Sequence, residues 1–308
     1  MIDPPRWDEA RLEADRVQSI ELFRQQRLDE PAELYGAAFD QQKEVMAALL
    51  AQTADLRNLD DEAVLSILTD RTRRDAFRYL AGPPISDDDW MTLARAASLS
   101  PGRLASHPGT VKRLADVVEK ALDRRRFPWL SENRPPTQAE RDAAAMASAC
   151  LWAYQRTQAA RRSSGKKRLE GQVEQALQKG GFVREPSRDV ALLRDAPQAG
   201  QFCRESSVAG RRADFVVGLW DGRYLFIECK DSNSYVNSVK RLNNDTAAKA
   251  VFWLRKFGEQ AVVPVAFISG VFYLNSLIEA QRTRLALFWG HGTNEFGQWL
   301  AEVRGSTS

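Results

Sequence analysis

The sequence predicts a mixed α+β/α/β protein: a helical N-terminal region, then an α/β unit that carries the chemistry. Three observations lead there. No strand pattern occurs before about residue 180, whereas apolar residues recur at helical spacing through that stretch. Between Arg211 and Lys230 lie two apolar runs, 213–220 and 224–229, rich in Val, Ile, Phe, Tyr and Trp. Asp221-Gly222 sits between them, a strong hairpin signal. A long amphipathic segment then stops at Gly258, and the apolar run 262–269 follows it.

Taken in order, residues 6–27 read as an amphipathic helix, with Leu12, Ile20, Leu22 and Phe23 among charges. More helices are expected around 38–54, 61–69, 72–81 and 87–98. Asp60-Asp61 and Asp87-Asp88-Asp89 suit caps and first turns, where acids meet the helix dipole; they lack metal-loop spacing. Thr110–Arg126 continues the helical reading and ends at Phe127-Pro128. After Pro135-Pro136, Thr137 and Glu140 make a capping box for a helix to about Ala160. Ala143, Ala147, Cys150, Leu151 and Tyr154 are its expected core stripe.

From Arg156 to Arg168 the charges are all basic: Arg156, Arg161, Arg162, Lys166, Lys167 and Arg168. A solvated linker with a Ser-Ser-Gly hinge and a phosphate-contacting segment are both open readings. Residues 166–179 form the next expected helix, buried through Leu169, Val173, Ala176 and Leu177. Glu170 projects nearer that side than Glu174. Strands are expected near 181–184 and 200–205, before the hairpin. Beyond Lys230, Asp231–Asn237 is turn-like, and a helix is expected from about Ser238 to Phe257, decorated by Lys240, Arg241, Lys249, Arg255 and Lys256. Asn233, Asn237, Lys240 and Arg241 follow the hairpin closely enough to contact a ligand held there, or form a solvated face. Val262–Ser269 reads as a buried strand and Leu285–Trp289 as an edge strand, between short helices at 275–282 and 293–303. His291 has no partner constellation and reads as structural.

Composition sets outer bounds. The length of 308 residues suggests about two domains, placed at 1–160 and 161–308. An apolar fraction of 44% suffices for packed cores, and no stretch approaches the ~18–20 apolar residues of a membrane span. The start, Met-Ile-Asp-Pro-Pro-Arg, is charged at once, unlike a secretory signal. Three scattered cysteines, Cys150, Cys203 and Cys229, fit a reducing cytoplasm without disulfides or a zinc cluster. With only His107 and His291, a nuclease built on paired histidines is poorly supported. A net charge of +3 does not by itself argue for nucleic acid.

The hairpin carries the candidate chemistry. Asp214, Glu228 and Lys230 interrupt or end its apolar runs, and buried charge is costly unless paired or bound to metal. Glu228 and Lys230 are two apart, so they share a strand face. A two-residue turn would pair Asp214 with Cys229 and put it on the wrong face. A three-residue loop, 220–222, with Gly222 left-handed, pairs Asp214 with Glu228 and gathers all three. That second geometry is expected.

Asp-x13-Glu-x-Lys on adjacent strands resembles the signature of the PD-(D/E)XK nuclease superfamily, with Ala213 in place of the usual Pro. The expected order of elements resembles that superfamily's αβββαβ restriction-endonuclease-like core. The segments Arg126–Leu130, Pro136–Glu140, Glu228–Asp245, Trp253–Gly258, Ile268–Leu277 and Leu287–His291 are similar to the XamI-type family of type II restriction endonucleases. The likeness covers roughly 120–303.

The resemblance implies Mg²⁺-dependent, site-specific hydrolysis of double-stranded DNA by a cytoplasmic homodimer, with a cognate DNA methyltransferase as functional partner. It implies Asp214, Glu228 and the Cys229 carbonyl as metal ligands, with Glu170 holding a second ion or orienting water. Lys230 would stabilise charge on the phosphate or act as base; a free lysine titrates near ~10.4, which favours the first role. Arg161, Arg162, Lys166, Asn233, Asn237, Lys240 and Arg241 are the candidate DNA contacts. The helical region would serve target recognition or dimerisation. Competing readings are a same-fold nuclease of repair or recombination, a non-catalytic DNA-binding protein on this fold, and a helical interaction protein.

Overall fold

A computed structural model of the protein describes residues 1–28 and 32–306. It divides into two compact units: Met1–Glu30 with Arg161–Ser308, and Pro31–Ala160. The sequence places 1–160 in one domain; instead helix α1 (Glu9–Leu28) packs with the C-terminal unit.

Among its described residues, the Pro31–Ala160 unit is built from helices, apart from one bridge between Ala81 and Leu122. They are α2 (Ala32–Gln52), α3 (Asp61–Thr69), α4 (Arg71–Arg78), α5 (Asp87–Leu93), α6 (Pro101–Ser106), α7 (Pro108–Ala121), α8 (Pro128–Ser131) and the first half of α9 (Gln138–Lys179). Local chemistry explains their starts. Asp60 accepts from the Ala63 N–H, and Ser86 accepts from Asp89, which sets Asp87–Asp89 in the first turn of α5. Thr137 and Glu140 cap each other's backbone N–H at 2.8 and 3.2 Å. Met46, Leu49, Phe77, Trp90, Trp129 and Trp152 form the core.

The expected core stripe of α9 is rotated. Ala143, Cys150, Leu151 and Tyr154 are exposed, while Ala144, Ala145, Ser148, Ala149 and Trp152 are buried. Trp152 decides the face: it stacks on Tyr79 at 5.3 Å and buries more area than any alternative side chain there. Ser148 on that face accepts from Arg126 at 2.9 Å.

The other unit holds a seven-stranded mixed sheet of order β1-β3-β4-β5-β6-β7, with β2 also paired to β3. The strands are β1 (Val183–Glu185), β2 (Asp189–Val190), β3 (Gln201–Val208), β4 (Arg211–Gly218), β5 (Tyr224–Ser232), β6 (Val262–Gly270) and β7 (Ala286–Trp289). β3, β4 and β5 are antiparallel neighbours; β6 and β7 continue parallel to β5. One face packs Phe215, Ile227 and Phe267 against Leu169, Val173 and Leu177 of α9 and against α13 (Thr293–Gly305). The opposite face packs Val216 and Phe226 on Trp253 of α11 (Ala248–Phe257).

Two helices differ from expectation. No hinge interrupts α9: Ser163, Ser164 and Gly165 lie within it. Gly165 is there because a Cβ would collide with the Asp231 carboxylate. The helix expected over 238–257 is composite. It comprises α10 (Tyr235–Val239), a π-helical segment (Lys240–Ala247) and α11, and α12 (Leu274–Arg282) follows β6.

The N-terminal segment is fastened by polar groups. The Trp7 indole donates to the Leu287 carbonyl at 2.7 Å, and buried Arg223 donates to the Ile2 carbonyl at 2.6 Å. Ser19 donates to the Gly270 carbonyl at 2.8 Å and accepts its N–H at 3.0 Å, all buried. Ser19→Ala therefore leaves two buried backbone groups unsatisfied and should lower stability by about 1–3 kcal/mol in urea denaturation; Ser19→Thr, which keeps the hydroxyl, should lose less.

Candidate active site

The hairpin register decides what this site can be. Leu219 N–H donates to the Arg223 carbonyl at 2.8 Å, so Trp220, Asp221 and Gly222 form a three-residue loop. Gly222 has φ +87°, which glycine adopts without a Cβ penalty. Phe215 pairs with Ile227 and Val217 with Leu225; carried one step further, this register sets Asp214 across from Glu228. The regular ladder ends there, and the Asp214 Oδ2 accepts the Cys229 N–H at 2.7 Å. The expected loop geometry is the one found.

Three carboxylates are withdrawn from solvent: Asp214 is 7% exposed, Glu228 2% and Glu170 5%. Each is answered by cations. Glu228 lies between Lys230 at 2.5 Å and Lys249 at 2.7 Å. The Lys249 ammonium also donates to the Arg212 carbonyl at 2.7 Å, which bridges α11 to β4 and β5. Lys166 stands 3.2 Å from Asp214 Oδ1 and 3.1 Å from Glu170 Oε1. Burial works to lower the Lys166 ammonium, but Asp214 and Glu170 outweigh it and hold it above the ordinary lysine value, so it stays charged.

Glu170 is also held from the far side, where Arg204 of β3 donates to Oε2 at 2.6 Å. The same guanidinium reaches Glu174 at 2.8 Å, and Arg184 joins Glu174 at 3.0 Å. Arg204 lies over the Phe215 ring at 5.3 Å, which fixes its plane. Glu170 Oε1 is buried and accepts no hydrogen bond, although the Lys166 ammonium is near. The Cys229 thiol is pushed well above its ordinary value by burial, with Asp214 adding to the effect, so it stays neutral.

Lys166 points at the carboxylates, a second task for a residue placed among the DNA contacts. Arg162, Asn237 and Lys240 are exposed; Arg161 and Asn233 are half-buried, and Arg241 donates to the Asp231 carbonyl at 2.5 Å. His291 lies elsewhere, its ring tilted against Trp289 at 5.4 Å and 3.8 Å from Asp15. Two residues that the sequence reading does not single out emerge here, Arg204 and Lys249. A lone arginine inside the strand-like run 200–205 is a usable signal for the first. Lys249 has none, because only the fold brings α11 over Glu228.

Among the described residues, no three His, Cys, Asp or Glu side chains gather closely enough to form a metal cage. A hard divalent ion needs less: one or two carboxylates and water can suffice. Asp214 and Glu228 are such oxygens, and both are buried where positive charge is required, so the donor set fits.

Lys249→Met removes one cation from buried Glu228 and a donor from the Arg212 carbonyl. It should cost about 1–3 kcal/mol in denaturation, with Lys249→Arg recovering part of the loss. Burial depresses His291 below the ordinary histidine value against the pull of Asp15. Its unfolded form takes up the proton first as pH falls. Stability should therefore decline as pH drops through the ordinary histidine value of about 6.5 toward the lower folded one, and His291→Gln should flatten that slope.

A model of the XamI restriction endonuclease family matches residues 57–289, a span that includes most of the helical unit and the hairpin. The type II restriction enzyme XamI of Xanthomonas campestris pv. amaranthicola is 40% identical over 268 residues, covering 85% of this chain and 95% of that protein. No solved structure matches the chain. On that span and that identity, the chain belongs to the XamI restriction endonuclease family and is a type II restriction endonuclease, a site-specific deoxyribonuclease.

Proposed function

We propose that this restriction endonuclease cleaves double-stranded DNA at the Asp214–Glu228–Lys230 cluster, on a PD-(D/E)XK core of αβββαβ order formed by α9, β3–β5, α11 and β6. One observation carries the reading. Two buried acids end up on adjacent strands in a shared register, and a lysine two residues past the second acid lies 2.5 Å from it. Such an arrangement is expensive for a fold to keep without use, since desolvated carboxylates need compensating charge. Intact acids and lysine speak against a decayed, non-catalytic DNA-binding fold, and the family weighs against a repair or recombination nuclease.

Asp214, Glu228 and the Cys229 carbonyl would hold Mg²⁺. Bound there, the ion would polarise the scissile phosphate and ease ionisation of a water. The remaining work falls to the chain. The Cys229 N–H holds one Asp214 oxygen at 2.7 Å and so fixes the carboxylate plane. Lys249 holds Glu228 Oε1 and leaves the other oxygen to Lys230. Lys230 donates toward the phosphoryl oxygen on which negative charge develops as water oxygen bonds to phosphorus and one P–O ester bond breaks. Glu170, oriented by Arg204, accepts a proton or a hydrogen bond from the attacking water.

The reading extends to assembly. A homodimer would present two such sites to a two-fold target, and the Pro31–Ala160 helices would supply recognition or dimer contacts. The enzyme would act in the cytoplasm beside a cognate DNA methyltransferase. Among the described residues, no helix is long and apolar enough to cross a membrane.

Asp214→Ala and Lys230→Met should each reduce plasmid cleavage in Mg²⁺ by at least about 10³-fold while gel-shift affinity for DNA stays within a few-fold. Discrete bands from the unmodified enzyme confirm site-specific cutting. Near-normal cleavage by either variant would remove the assignment.

A further inference from the structure

An ammonium fills the gap between Glu170 and Asp214. Each of these carboxylates has one oxygen committed to the fold. Arg204 donates to Glu170 Oε2 at 2.6 Å, and the Cys229 N–H donates to Asp214 Oδ2 at 2.7 Å. The other oxygen of each meets Lys166, whose Nζ lies 3.1 Å from Glu170 Oε1 and 3.2 Å from Asp214 Oδ1. Glu170 Oε1 is buried and, among the described residues, accepts no hydrogen bond. The ammonium therefore answers it as a nearby charge and not as an aligned donor. Two oxygens of two buried carboxylates, converging on one point, are what a hard divalent ion takes up, with water completing its shell.

Helix α9 brings Lys166 to that point. Gly165 lets the helix lie against Asp231, whose carboxylate any Cβ there would strike. The next residue, Lys166, stands one turn before Glu170 on the same face. Its stem is half exposed, whereas both acids it meets are buried, so a shorter side chain would open the point to water and ions. The ammonium excludes a divalent ion from the same volume, and two positive charges so close repel. It supplies charge without Lewis acidity, so it does not help to ionise water. What it does is hold the two acids at a fixed separation.

We propose that Lys166 is a positioning residue that takes the place of a second divalent ion. Each active site then works with one ion, held by Asp214, Glu228 and the Cys229 carbonyl, and Glu170 orients water without ligating metal. The proposal rests on the catalytic reading of Asp214, Glu228 and Lys230. It adds the number of ions and the side chain that sets that number.

The test counts ions bound to the full chain, by equilibrium dialysis against millimolar Mn²⁺ without DNA, with Asp214→Ala as the background. Wild type should bind one Mn²⁺ per chain above that background. Lys166→Ala and Lys166→Glu should each bind two, the second roughly 10-fold tighter in Lys166→Glu, which adds a carboxylate. Lys166→Arg, which keeps the charge, should stay at one. Heat denaturation gives an independent readout. Without metal Lys166→Ala should melt below wild type, and Mn²⁺ should raise its Tm by more than it raises that of wild type. If Lys166→Ala does not fold, Lys166→Gln should show the same count of two. Two ions on the wild type overturn the proposal. So does a single ion on the folded alanine or glutamine variant and on Lys166→Glu, with circular dichroism intact. Plasmid cleavage by Asp214→Ala sinks the catalytic reading instead, and since the ion counts do not depend on cleavage, the two failures are distinguishable.

Discussion

Carboxylates removed from water must be met by positive charge, and that constraint organises the C-terminal unit. From Arg184 the charges alternate through Glu174, Arg204, Glu170 and Lys166 to Asp214. A second group surrounds Glu228 with Lys230 and Lys249. The elements that supply these cations, α9, β1, β3, β5 and α11, cannot move independently without stranding a charge. The sheet supplies rigidity around them: the strand interiors of β4 and β5 are buried on both faces, by α9 on one and α11 on the other.

Much of this was legible because local chemistry and tertiary need agree. Gly222 at the third loop position implies the register, and the register brings Asp214 opposite Glu228. Capping residues mark the starts of α3, α5 and α9 well. The misreadings share a cause. Ser163-Ser164-Gly165 resembles a hinge by propensity, yet α9 continues because packing against Asp231 demands the small residue. The α9 stripe was misplaced because several alanines fit either face and only Trp152 discriminates. Lys249 was invisible as a site residue because its partner is 21 positions away and on another element.

The placement of residues 1–28 changes how the chain divides. A sequence that is helical up to the first strand invites a single N-terminal domain. Polar anchors contradict that division: Trp7 to Leu287, Arg223 to Ile2 and Ser19 to Gly270 fasten the segment to the sheet unit. Gly270 is constrained twice, by φ +91° and by a Ser232 carbonyl that leaves no space for a Cβ. The helices of Pro31–Ala160 are then an insertion between α1 and the second half of α9.

The π-helical segment Lys240–Ala247 has a bearing on how such chains can diverge. Its wider turn bonds each N–H five residues back, and Thr246 Oγ1 reaches the Arg241 carbonyl over the same interval. Each residue of an α-helix turns the following chain by about 100°. Removing one here would swing the ammonium of Lys249 off Glu228 and bring a neighbour without charge, Ala248 or Ala250, in its stead. Length in this stretch is thus under tighter restraint than the identity of its outward side chains, and tolerated drift should favour exchange over insertion or deletion.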